Sequence, residues 1–354
     1  MRSRFEAVLS DPPVYSLPFL IPLSAIYRGI SSLHRYLYSS GVLTTRRLQR
    51  PVVSVGNLTT GGGGKTPLTM WLADKLMASG VKVAILTRGY GRIRGGLRIV
   101  EERDTWEDVG DEPVLMASKM RGATVAVAKD RFLAGTKILE IRDVDLFLLD
   151  DGFQHFSLDR DLDIVVVDGQ RRFGNGRLLP AGILREPVSR LKDADLIVVT
   201  KTQQVDPEFE GFLKRYSTAP VFWADYRPMG LSSVDSGEHT SIGDRPEGPF
   251  VAFCGIGGPD GFRATLARAG IEVVELLTFP DHHPYTASDI NRIKETADRT
   301  AAVGLVTTEK DAARWHHTNL SLPLYSLAIQ PVIEAEDDLL EKVLTLVGKG
   351  KGPA

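Results

Sequence analysis

The chain has 354 residues, 43 Lys and Arg against 45 Asp and Glu, and a formal net charge of −2. A molecule so balanced lacks the basic field of a nucleic-acid binder. Its 43% hydrophobic and 25% charged content are ordinary for one large globular domain or two, and its single cysteine, Cys254, excludes an intramolecular disulfide framework and fits a reducing compartment.

The first 45 residues differ from the rest. Arg2, Arg4, Arg28 and Arg35 are their only Lys or Arg residues, Glu6 and Asp11 their only acidic ones, and PPVYSLPFLIPLSAIY (12–27) carries no charge. That run is shorter than the roughly 20 apolar residues of a membrane span, and four prolines interrupt it. Acidic residues ahead of it and no evident small-residue cleavage site argue against a signal peptide. IYRGISSLHRYLYSSG (26–41) suits a basic amphipathic helix, and two readings stand: it lies on an anionic bilayer surface, or it packs on the rest of the chain.

PVVSV (51–55) reads as a strand, and LTMWLADKLMAS (68–79) as a helix with Leu68, Leu72 and Leu76 on one face. Between them lies GNLTTGGGGKTP (56–67). Four glycines in a row forfeit much conformational entropy, so the backbone there must approach something closely or take positive φ. Strand, Gly-rich turn and helix, followed by Lys and a hydroxyl, describe a phosphate-binding loop. Gly61, Gly62, Gly63 and Gly64 would wrap the phosphates, Lys65 would bridge the β- and γ-phosphates, and Thr66 would ligate Mg²⁺. The strict pattern requires glycine at position 59, where this chain has Thr59.

Downstream, VKVAILT (81–87), TVAVA (124–128), DLFLLD (145–150), DIVVVD (163–168) and DLIVVT (195–200) are continuous apolar runs, with helical stretches such as 112–120 and 131–141 between several of them. Strands buried on both faces look like this, and they predict a mostly parallel sheet covered by helices. TRGYGRIRGG (87–96) places Arg88, Tyr90, Arg92 and Arg94 after a strand, where arginines suit anionic groups. In VGDEP, Asp111 is either a helix cap or a base for a hydroxyl proton. LLDDGFQH ends a strand with Asp150 and Asp151, in position to hold Mg²⁺, with Gln154 and His155 following. Arg185 and Glu186, before a proline, read by themselves as a surface ion pair. In VVTKTQ (198–203), Gln203 stands where a guanine-reading carboxylate would be needed, which counts against a GTPase switch.

Around 221–248 the pattern becomes polar and Gly/Ser/Pro-rich, a linker or a strand-and-loop crossover; a second, smaller α/β lobe follows over 249–354. The first lobe spans 46–220. FPDHHPYT (279–286) brings Asp281, His282 and His283 together, but adjacent histidines are poorly spaced for zinc; one of them could relay a proton in an inter-lobe cleft.

SVGNLTTGGGGKTP, LTRGYGR, VGDEP, AKDR, LLDDGFQH, RLLPAGILREP, FPDHHPYT and VTTEKDAAR occur in this order from residue 54 to 314. Together they closely resemble the tetraacyldisaccharide 4′-kinases, the lipid A 4′-kinases of Gram-negative bacteria. Two positions depart from that family: Gly63 stands where a hydroxyl residue is usual, and Ile183 where proline is usual. The resemblance implies a P-loop fold of two α/β lobes with a membrane-apposed N-terminal helix, acting as a monomer at the cytoplasmic face of the inner membrane beside anionic lipids, with no nucleic-acid partner. It implies transfer of the γ-phosphate of ATP, with Mg²⁺, to the 4′-hydroxyl of tetraacyldisaccharide 1-phosphate, giving lipid IV-A. Carried onto matching positions, Lys65 and Thr66 hold phosphate and metal, and Asp150 and Asp151 are the acidic Mg²⁺ element. Asp111 is the base, partnered by His282, with His283 as the alternative. Arg185, Glu186, Gln154 and His155 lie at the phosphates, Glu186 among the metal ligands, and Arg88, Tyr90 and Arg131 meet the substrate.

Overall fold

The computed structural model describes residues 17–315 and 320–349. The chain begins with α1 (Leu17–Ser39), β1 (Val52–Asn57), α2 (Lys65–Ala78), β2 (Val83–Thr87), β3 (Arg98–Ile99), α3 (Trp106–Val109), α4 (Asp111–Lys119), β4 (Thr124–Val127) and α5 (Arg131–Ile141). It continues through β5 (Leu146–Asp150), β6 (Leu162–Asp168), β7 (Leu196–Thr200), α6 (Pro207–Lys214), β8 (Val221–Ser233) and β9 (His239–Ser241). The remainder is β10 (Phe250–Cys254), α7 (Pro259–Arg268), β11 (Val273–Thr278), α8 (Ala287–Thr300), β12 (Gly304–Thr308), α9 (Glu309–Ala312), β13 (Leu324–Ile333) and α10 (Glu336–Lys349).

The strands form one 13-stranded sheet in the order β11-β10-β12-β13-β8-β7-β6-β1-β5-β2-β4-β3, with β9 added on β8. Neighbours on this path are parallel except β13 with β8 and β4 with β3. Every residue of β1, β2, β5, β6 and β7 is buried, which accounts for their unbroken apolar runs.

The stretch expected to link the lobes begins with a strand that belongs to both. Residues 221–223 of β8 run parallel to β7, and residues 224–233 run antiparallel to β13. The lobes are therefore joined through main-chain hydrogen bonds as well as through the chain. The last helix also crosses the expected boundary. Leu339 and Val343 of α10 share a core cluster with Leu72 and Leu76 of α2, and Lys75 Nζ meets Glu336 Oε1 at 2.8 Å. The apolar face of α10 is buried against the first lobe, where each such side chain contributes about 1.5–3 kcal/mol.

Helix α1 attaches to the protein by its polar side. Ser24 Oγ donates to Leu179 O at 3.1 Å, Arg35 Nη1 pairs with Glu186 Oε2 at 2.9 Å, and the rings of His34 and Tyr38 pack beside Phe156. Phe19, Leu23, Ile26, Ile30 and Leu33 recur at helical spacing and face outward, Phe19 76% and Ile30 65% exposed. That is the reverse of an ordinary surface helix, which turns its apolar stripe inward. Among the described residues, no helix is long and apolar enough to cross a membrane. Residues 1–16, which include the start of the uncharged run, lie outside the described residues.

Candidate active site

Parallel strands bring the ends of β1, β2, β5, β6 and β7 to one edge of the sheet, where the second lobe faces them across a cleft of about 1380 Å³. The Gly-rich turn enters the cleft from β1. Its first leg is held like a strand: Thr60 N–H donates to Ile183 O at 2.8 Å and Arg185 N–H to Leu58 O at 2.7 Å. Thr59 sits inside this pairing and has negative φ, so the position does not require glycine. Positive φ begins at Gly61 (+88°) and returns at Gly64 (+86°). The carbonyls of Gly62, Gly63 and Gly64 accept hydrogen bonds from Lys201 Nζ (2.7 Å), Thr200 Oγ1 (2.8 Å) and the Tyr226 hydroxyl (2.9 Å). Gly64 occupies the N-cap of α2 and supplies no side-chain acceptor, leaving first-turn amides free to meet an anion.

At the end of β5, Asp150 and Asp151 take different roles. Asp151, at φ +52°, accepts a bidentate pair from Arg185 (2.9 and 2.7 Å), and Lys65 Nζ lies 3.4 Å away. Burial opposes its ionisation, but Lys65 and Arg185 overcome this and hold the carboxyl far below the usual range. Asp150 is 2% exposed and accepts from Thr69 Oγ1 at 3.3 Å. Burial, then the charges of Glu112 and Asp151, push it up to about 7. Crowded carboxylates that resist joint ionisation, beside Thr66 and Lys65 in the cleft wall, fit a hard divalent cation. Among the described residues no three His, Cys, Asp or Glu side chains form a self-sufficient metal cage, so Mg²⁺ would need further oxygens from a nucleotide or water.

Four expected phosphate, metal or substrate residues lie elsewhere. Glu186 is turned away from the cleft toward α1, where Arg35, Ser31 (3.4 Å) and Arg190 (3.7 Å) surround its carboxylate; it is not placed as a metal ligand. Successive residues point to opposite sides here, so Arg185 reaches Asp151 while Glu186 does not. Gln154 Nε2 donates to Asn57 O at 2.8 Å, bracing the end of β1 rather than lining the cleft. His155 lies beside Arg131 (3.4 Å) and Ser157 (3.2 Å), and burial followed by the Arg131 and Arg160 charges lowers it to about 4. Arg131 is 6% exposed and sits behind the cleft wall, where burial and then the Arg88 charge lower it to about 10. Arg88 and Tyr90 do line the cleft.

On the opposite wall, His282 Nδ1 lies 2.9 Å from Asp111 Oδ2, joining the second lobe to the start of α4. Asp111 is not the cap of α4, because Gly110 takes that position. Its Oδ1 accepts the Glu112 N–H at 2.9 Å, and its Oδ2 also accepts from Arg314 Nη1 at 2.7 Å. Burial would raise Asp111, but the His282 hydrogen bond and the charges of Lys310, His282 and Arg314 hold it below its usual value. The carboxylate is 3% exposed and lies behind the imidazole, so His282 lines the cleft and Asp111, expected as the base, is placed as its partner instead. His283 turns into its own lobe, with Nε2 2.9 Å from Asp289 Oδ2 and its ring stacked on Phe279.

Sequence reasoning assigned no role to Thr200, Lys201, Tyr226, Lys310 or Arg314. Their signal was slight: Lys201 lies in VVTKTQ, weighed only for guanine reading, and Lys310 and Arg314 lie in VTTEKDAAR.

A mostly parallel α/β sheet, a Gly-rich turn at a helix N-terminus and a lysine beside strand-end carboxylates define a phosphate-handling α/β enzyme. The chain belongs to the tetraacyldisaccharide-1-P 4′-kinase family, whose sequence model matches residues 16–348. It is 39% identical over 331 residues to the tetraacyldisaccharide 4′-kinase of Geobacter sulfurreducens, covering 91% of this chain and 92% of that one. It is 37% identical over 373 residues to that of Syntrophus aciditrophicus, covering 99% of this chain and 100% of the relative. The structure is similar to the crystal structure of LpxK from Aquifex aeolicus in complex with ATP, with a TM-score of 0.75 and 34% identity over 92% of this chain and 98% of that one.

Proposed function

We propose that this cleft transfers the γ-phosphoryl group of ATP to the 4′-hydroxyl of tetraacyldisaccharide 1-phosphate, with the Gly-rich turn acting as a P-loop. One observation carries the mechanism: the Asp111–His282 pair closes across the lobes onto the cleft that also holds Lys65, Asp150 and Asp151. The turn's amides and Lys65 bind and orient the phosphates, and Arg185 fixes Asp151 beside Lys65. Thr66, Asp150 and Asp151 would hold Mg²⁺, which neutralises phosphate charge when bound. His282 Nε2 takes the hydroxyl proton as the oxygen attacks phosphorus and the β–γ bridge breaks, while Asp111 holds Nδ1–H. A positioned base of this kind contributes about 10²–10⁴-fold.

The outward apolar stripe of α1 supports docking on the surface of an anionic membrane, which would present the acylated acceptor to the cleft. In a Gram-negative cell this is the cytoplasmic face of the inner membrane.

The test is transfer of labelled γ-phosphate from Mg·ATP to tetraacyldisaccharide 1-phosphate in detergent micelles. Acceptor-dependent labelling should appear and should fall about 10²-fold or more in Asp111→Ala and His282→Ala. ATP hydrolysis indifferent to acceptor would defeat the proposal.

A further inference from the structure

We propose that Lys310, at the start of the second lobe's α9, is a positioning residue that fixes the His282–Asp111 pair and occupies the site on Nε2 later taken by the acceptor hydroxyl. The proposal rests on His282 being the proton acceptor.

Hydrogen-bond chemistry permits one neutral arrangement. Asp111 Oδ2 accepts from Arg314, and its carboxylate is ionised, so the 2.9 Å contact with His282 requires Nδ1 to donate. Nε2 of the neutral ring is then an acceptor. Lys310 Nζ lies 3.2 Å from Nε2, and an ammonium can only donate. Asp111 thus selects the tautomer that a proton acceptor needs, and Lys310 keeps the Nε2 lone pair directed at the cleft wall that both residues share.

Lys310 is itself held from both lobes. Its Nζ lies 3.2 Å from Glu112 Oε1 on α4 and 3.7 Å from Asp281 Oδ1. Glu112 adjoins Asp111, so the same ammonium ties both ends of the pair. The backbone supplies a second sign that His282 is held in place. Its φ is +56°, a conformation that a non-glycine residue keeps only where its surroundings impose it. Those surroundings are Asp111 on α4, Lys310 on α9, its neighbour Asp281, and the Tyr90 ring, whose centroid is 5.0 Å away.

A hydroxyl that donates to Nε2 must displace Nζ by about one hydrogen-bond length. Glu112 and Asp281 can retain the ammonium as it moves, leaving its charge in the cleft beside the transferring group.

The experiment compares Lys310→Met and Lys310→Arg in the full-length chain, with His282→Ala alongside. Kinetics are measured with Mg·ATP and the micellar acceptor from pH 5.5 to 9. Lys310→Met should lower kcat about tenfold or more with little change in either KM. Loss of a cation facing Nε2 makes the imidazole easier to protonate, so the acid limb of kcat/KM should move up by about one pH unit. Lys310→Arg should restore the limb and part of kcat. Nitrogen NMR shifts of the His282 ring, assigned with His282→Ala, give a second readout that needs only folded protein. They should show Nδ1–H with Nε2 as a hydrogen-bonded acceptor in the parent chain, and in Lys310→Met the Nε2 shift should move toward that of an acceptor without a donor. An unmoved acid limb with unchanged ring shifts overturns the inference, as does an effect confined to KM. Full activity in His282→Ala would instead overturn the reading beneath it.

Discussion

Gly64→Ala tests whether the turn is built as closely as its geometry indicates. A Cβ at Gly64 would stand 2.1 Å from the Tyr226 hydroxyl oxygen and 2.8 Å from Cζ, both far inside contact distance. Residue 64 also lies at φ +86°, which costs a non-glycine residue about 1–2 kcal/mol. Tyr226 cannot withdraw without losing its 2.9 Å bond to Gly64 O, a net loss of about 1 kcal/mol. Together these give about 2–3 kcal/mol of destabilisation. ATP affinity should fall further, because the displaced turn no longer presents its amides to phosphate. The assay is urea unfolding with calorimetric ATP binding, carried through a double-mutant cycle with Tyr226→Leu. The Leu side chain removes the hydroxyl and its collision, so the cycle should show about 1 kcal/mol of coupling, leaving the φ term. Full additivity, or wild-type ATP affinity in Gly64→Ala, would refute the close packing of this turn.

Two further expectations follow from the carboxylates and from α1. Asp150 is raised to about 7 by burial, then by Glu112 and Asp151, so protons should compete with Mg²⁺ below that pH. The apparent Mg²⁺ dissociation constant should rise about tenfold from pH 6 to pH 5, measured through Mg²⁺-dependent ATP binding, and Asp150→Asn should flatten that dependence. Because the folded value lies above the unfolded one, ionising Asp150 destabilises the metal-free fold: its favourable contribution is present at acid pH and lost as pH rises toward 7. In chelator, Asp150→Asn should therefore gain stability relative to the parent between pH 5 and 8, and a constant difference would contradict this environment. Separately, Ile26→Glu with Ile30→Glu should lower partitioning onto anionic vesicles about 10²-fold or more in a sedimentation assay, since each side chain loses about 1.5–3 kcal/mol of apolar transfer. Undiminished partitioning would rule out the outward stripe of α1 as the docking surface.

Much of this protein is legible locally. The buried parallel strands announce themselves as continuous apolar runs, because a strand covered on both faces has no solvent side to mark with polar residues. The Gly-rich turn, Lys65 and the Asp150–Asp151 pair are equally visible, because the backbone and charge requirements of phosphate binding fall on consecutive residues. Composition alone could not choose between His282 and His283. The fold decides by turning one toward Asp111 and the other toward Asp289. Nor could it show that Glu186 faces α1 while adjacent Arg185 faces Asp151, or that α10 completes the core of the first lobe. Lys310 and Arg314 stand about 200 positions from Glu112 and Asp111, which they meet across the cleft, and nothing near them in the chain marks that role. Local sequence determines the units whose physics is local: strand burial, helix periodicity and the Gly-rich turn. The Asp111–His282 contact depends on desolvated charges meeting across the cleft, and the joining of the lobes on β8 pairing with β7 and β13; only the folded chain brings those together.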